Sequence, residues 1–196
     1  MTPREIEEYT ELRSTIRERS TTRIWVFAAG IAAWAALDIA TAVLLSTPLD
    51  TLLPLLVLAA TFEAVFALHV GVERIGRYLQ VFHEAPGEQA AWETVAMSFG
   101  APAAGTGLDP LFAIIFGVAA GLNFLPVMLI APAASEVVVI GALHALFLAR
   151  LIRARAAAAR QRAADLARFQ QMRASAFQSP GSSSVRRKPD ATIEDA

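Results

Sequence analysis

The sequence predicts an all-α membrane protein: a polytopic, four-transmembrane-helix bundle with an amphipathic N-terminal helix and a basic C-terminal helix, both cytoplasmic. Three observations carry this. The 196 residues are 55% hydrophobic with mean hydropathy +0.47, whereas a soluble domain is about 45–50% apolar and lacks apolar runs of ~20 residues. Four such runs are present, near 24–45, 52–72, 110–130 and 133–152. The charges sum to only -1, yet they are segregated at the ends of these runs rather than spread along the chain. That balance gives no reason to expect nucleic acid as a partner. With no cysteine, disulfides, thiolate metal sites and cysteine nucleophiles are excluded.

Residues 1–23 open with Thr2, Pro3 and Glu5, a hydroxyl cap, a first-turn proline and an acid at the positive end of a helix dipole. Ile6, Tyr9, Leu12 and Ile16 form a narrow apolar stripe. This pattern predicts an amphipathic helix at the membrane surface or against another cytoplasmic segment. The first span, 24–45, covers roughly 33 Å. It places Trp25 at an interface, Gly30 and Ala33 on a close-packing face, and Asp38 within the apolar run. Pro48 favours a break before the second span.

The second span, 52–72, is expected to continue as helix to Phe82 and stop before Pro86-Gly87. A short helix over 88–99 and a flexible GAPAAGTG linker at 100–107 follow. The latter lacks the lysine that a phosphate-binding loop needs. The third span carries Asn123 and Pro126, the proline expected to kink or end the helix. Pro132 marks a tight hairpin into the fourth span, which holds Glu136 and His144. Strong helix formers extend it through a basic cytoplasmic helix at 153–174, and a Ser-, Pro- and Gly-containing tail, 175–196, reads as disordered.

Orientation follows from the cations. The loops at 46–50 and 131–135 contain no Lys or Arg. All seventeen lie before span one, just after span two, or near or beyond the end of span four. The positive-inside rule therefore predicts a multi-pass inner-membrane protein with both termini cytoplasmic. Its partners are the bilayer, anionic headgroups near the basic helix, and membrane proteins or further copies of the chain.

Ionisable groups inside hydrocarbon cost at least about 2.5–3.5 kcal/mol each and should face a bundle interior or watery cavity. Counting down from the outer turns puts Glu63 and His144 at nearly the same level, roughly 17 Å deep. Asp38, Asn123 and Glu136 fall nearer the outer side, giving an intramembrane polar network of Glu63, His144, Asp38, Asn123 and Glu136. His69, Glu73, Arg74, Arg77 and Tyr78 fall at the cytoplasmic interface. There His69 and Glu73 are i,i+4 neighbours, and Glu63 and Arg74 lie within about 20° on the helix wheel.

A metal held by Glu63, His69 and His144 is a weak alternative, because the Glu-x-x-His pairs of di-iron bundles are absent. No catalytic triad or nucleotide signature occurs, and neither a cofactor nor an enzymatic activity is expected. Two functions remain. One is a structural or accessory subunit of a membrane complex or homo-oligomer. The other is a small proton-coupled carrier using Glu63 and His144, although four spans are few and no inverted repeat is evident.

Overall fold

The computed structural model describes residues 2–44, 47–84, 92–95, 110–129 and 133–178. Nearly all of these are helical, with no strand among them. Helix α1 is Pro3–Leu44, a 3-10 turn follows at Pro48–Thr51, and α2 is Leu52–Phe82. Helix α3 is Pro110–Leu129 and α4 is Ala134–Gln178. Three of the helices are long and apolar enough to cross a membrane, and α3 carries a shorter described apolar stretch, Ala113–Met128. This composition suggests a membrane protein.

Local chemistry fixes the starts. Thr2 and Glu5 form a reciprocal capping box: Thr2 N–H donates to Glu5 Oε2 at 2.6 Å, and Glu5 N–H donates to Thr2 Oγ1 at 3.3 Å. The same bond to the Thr2 backbone holds the Glu5 carboxyl below its usual range. Thr47 N–H donates to Asp50 Oδ2 before α2, and Ala133 N–H donates to Glu136 Oε2 before α4. In both places a carboxylate sits at a positive helix end.

The expected surface helix (1–23) and first span (24–45) form one uninterrupted 42-residue helix over Pro3–Leu44. Nothing in its sequence breaks it: Pro3 is at the first turn, where proline is tolerated. Pro126 does not end α3, which runs on to Leu129. Its ring lies one turn from the helix end, where its missing donor removes a single bond. Helix α4 continues past Ser175 to Gln178, so the first residues assigned to the tail are helical. Of the expected short helix, 92–95 is described as helix; the 100–107 linker and 179–196 lie outside the described residues.

Helices α1 and α2 run antiparallel. Glu8 meets Tyr78, Arg23 meets His69, and Gly30 meets Thr61. Helices α2 and α4 run parallel, joined by contacts 87, 91 and 92 residues apart. All four helices meet at an aromatic cluster. Phe62 of α2 packs edge-on against Phe116 of α3 at 5.3 Å and Phe147 of α4 at 6.1 Å, and Phe27 of α1 packs on Phe116 at 5.7 Å. Rings of this size bury large apolar areas, and edge-to-face geometry adds about 0.5–1.5 kcal/mol per pair. The bundle thus has an apolar end, where all four helices pack, and a polar end built from the remaining halves of α1, α2 and α4.

Candidate functional site

In the apolar half the most unusual feature is an ion pair on the outside of the bundle. Arg150 of α4 grips Glu63 of α2 with two parallel contacts, Nε to Oε1 and Nη2 to Oε2, both 2.8 Å. The guanidinium also lies over the Phe66 ring at 4.7 Å and the Phe62 ring at 5.5 Å. The fork geometry suits a carboxylate, and the ring faces attract the cation. Yet the Glu63 side chain remains 51% exposed and that of Arg150 35% exposed. The pair ends an open groove of about 440 Å³ between α2 and α4. Leu55, Leu56 and Ala59 form one wall, and Leu143, Leu146 and Phe147 the other.

Glu63 and His144, matched by depth in the sequence, do not meet. His144 is buried and engaged at both ring nitrogens: Nδ1 lies 2.8 Å from the Ile140 carbonyl oxygen and Nε2 3.0 Å from Asn123 Nδ2. A carbonyl only accepts, so Nδ1 carries the proton and Nε2 accepts from the amide. Asn123 donates its second amide hydrogen to the Thr51 carbonyl at 3.0 Å. This trio ties the 3-10 turn to α3 and α4, and Phe124 packs edge-on against the imidazole at 5.1 Å.

The depth count failed because the two turns at the apolar end are not level. Asn123 ties Thr51 to His144, and Glu63 pairs with Arg150, six residues past His144, so α2 starts several residues deeper than α4 does. Glu63 is carried down with α2 and meets Arg150 instead.

The other members of the expected network lie apart. Glu136 is spent on its helix start. Asp38 holds Thr41 through its backbone carbonyl at 2.9 Å, while its buried Oδ1 has no hydrogen-bond partner among the described residues. Among the described residues no three His, Asp or Glu side chains converge as metal ligands. Glu63, His69 and His144 each contact a different partner.

The five residues assigned to the interface do sit together at the polar end, and all but Arg77 reach partners on other helices. Glu73 binds Arg162 at 2.6 Å and approaches His69 at 3.8 Å, and Arg74 binds Asp165 at 3.1 Å. His69 Nδ1 lies 3.0 Å from Arg23 Nη1. Tyr78 donates to Glu8 at 2.6 Å, which pushes its pKa up to about 12. Arg77 is buried and donates to Gln80 at 2.7 Å. Burial pulls its pKa down, with Arg162 acting in the same direction and Glu73, Glu93 and Glu84 opposing.

Glu84 accepts the backbone N–H groups of Glu93 and Thr94 at 2.7 and 2.8 Å and so caps the helical segment 92–95. Glu93 in turn binds Arg13 at 3.0 Å. Burial raises the Glu93 pKa, Arg13 works against that, and Glu84 adds to it.

Arg150, Arg162, Asp165, Glu8 and Glu93 were not singled out in the sequence. The signal for Arg150 was available: counted back from the polar end, Glu63 lies ten residues before Glu73 and Arg150 twelve before Arg162. Compared with known protein families, curated proteins and solved structures, the chain matches none of them.

Proposed function

We propose that the chain is a multi-pass inner-membrane protein acting as a structural or accessory subunit, assembled with other membrane chains or with its own copies. One observation carries this reading: the Glu63–Arg150 pair is open on the outer wall of the apolar half. It lies six residues, roughly 9 Å, inside the level of His69 and Arg23. Charged groups at that depth are costly when they face lipid, even as a neutralised pair, and are normally covered by protein or water. A second membrane protein on this wall removes that exposure.

In this reading α3, about 30 Å long, is the fourth crossing, and the polar end lies in the cytoplasm. The distribution of Lys and Arg supports both points. Arg153, Arg160 and Arg168 are exposed along α4 and are proposed to meet anionic headgroups. The carrier alternative depends on Glu63 and His144 acting together, and in the fold each holds other groups.

Affinity purification from native membranes in mild detergent, followed by native mass measurement, tests the proposal. The expected result is an assembly heavier than the 21.0 kDa chain. A lone chain that keeps its helicity would sink the idea.

A further inference from the structure

The chemistry of the Glu63–Arg150 wall is complementary to itself. Helices α2 and α4 are parallel, and the two residues sit at one level, so the line from carboxylate to guanidinium runs across the wall rather than along it. A two-fold rotation about an axis parallel to the helices preserves level and reverses that line. It sets Arg150 of each copy opposite Glu63 of the other, closing a ring of four alternating charges. The same rotation lays α2 of each copy against α4 of the other.

The apolar surface beside the pair suits such a contact. Leu56 and Leu146 stand out on either side of the groove, 64% and 65% exposed. Leu56 and Leu146 are 90 residues apart (146 − 56), three more than the adjoining Glu63–Arg150 contact, so they stand within one helical turn of the same level. Each copy therefore offers a ridge and a furrow of matching height. An isologous interface needs one patch that is complementary to its own rotated image.

We infer that this wall is a two-fold self-association surface, occupied by a second copy of the chain, with Glu63 and Arg150 exchanging charge contacts between copies. The inference rests on the subunit reading and names the partner that reading leaves open.

Because the chain has no cysteine, introduced ones report on single positions. Leu56→Cys and Leu146→Cys copies, carrying different tags, are co-expressed and oxidised in native membranes. The expected product joins the two tags at twice the mass of one chain, while Ile39→Cys on α1, also exposed, stays uncrosslinked. A product containing a different protein overturns self-association but leaves the subunit reading intact. Absence of any product, with both cysteines open to a lipid-soluble maleimide, means the groove faces lipid and overturns both.

A second pair of variants tests the charge exchange itself, with helicity confirming that each copy is folded. Glu63→Arg copies and Arg150→Glu copies are each repelled from their own kind, yet complement one another. Mixed pairs should be recovered at least tenfold above like pairs, and equal recovery would overturn the charge exchange.

Discussion

Tyr78 is the residue whose chemistry is most directly measurable. Its hydroxyl donates to Glu8 across 70 residues of chain, tying the first turns of α1 to the last turns of α2. Ionising the phenol removes that donor and places a second negative charge beside the carboxylate. The hydrogen bond to Glu8 is the largest cause of the upward shift to about 12, followed by burial and the Glu8 charge. An unfolded tyrosine titrates near 10.

The folded pKa is raised, so this contact stabilises the fold fully below about pH 10, and the contribution is lost as pH rises through 12. In a Tyr9→Phe background Tyr78 is the remaining tyrosine of two. Its tyrosinate absorbance should then appear with a midpoint near pH 12, and Glu8→Gln should bring the midpoint back toward 10. A midpoint near 10 in both proteins would mean the bond does not form. That Tyr78 lies beyond the second apolar run was legible from its position in the sequence. Its partner was not, because a contact 70 residues away leaves no periodic trace.

At the level of elements, the α1–α2 contact depends on one close approach. A Cβ placed on Gly30 would overlap the Thr61 side chain, lying 2.7 Å from its Cβ. Thr61 is not free to turn away without loss, since its hydroxyl donates to the Val57 carbonyl at 2.7 Å. Small residues at such crossings let backbones approach and gain dispersion contacts, the main attraction between helices in lipid.

Gly30→Val should therefore push α1 from α2 and lower stability by about 1–3 kcal/mol. Thr61→Gly should relieve part of the overlap, so the double variant is more stable than the two single losses sum to. Chemical unfolding in detergent micelles, followed by helicity, measures the coupling. Additive losses would place Gly30 away from Thr61.

The helices themselves were readable: apolar runs, capping residues and the Pro86-Gly87 stop outline them. Gly30 was also readable as a packing residue by its size. The register between α2 and α4 was not. It is set by how deep the Pro48–Thr51 turn sinks between α3 and α4, held there by Asn123 and His144. That is a tertiary quantity, and a count from loop positions assumes it is zero. The outward direction of Glu63 was hidden for the same reason, since a burial rule for charged residues presumes the bundle is already complete.

For the whole molecule, the polar end and the apolar end solve different problems. At the polar end, Glu73–Arg162, Arg74–Asp165 and Arg13–Glu93 pair charges between elements. Their carboxylates are only 8–17% exposed, so desolvation offsets much of the attraction and the pairs set register more than they add stability. At the apolar end, the aromatic cluster holds the helices together, and one charged pair is left open on the wall. The segregation of charge that first suggested a membrane protein recurs in the fold as this division, broken by the lone acid Asp38 and by one ion-paired exception, Glu63 and Arg150.

The claim that the exception is an assembly device has a direct test. Glu63→Leu combined with Arg150→Leu makes the wall wholly apolar, a surface that lipid covers without penalty. Native mass is then compared for wild type and the double variant in the same mild detergent, with helicity confirming that both are folded. The wild type is expected as an assembly and the variant as single 21.0 kDa chains. A folded double variant that keeps the wild-type mass would contradict that claim.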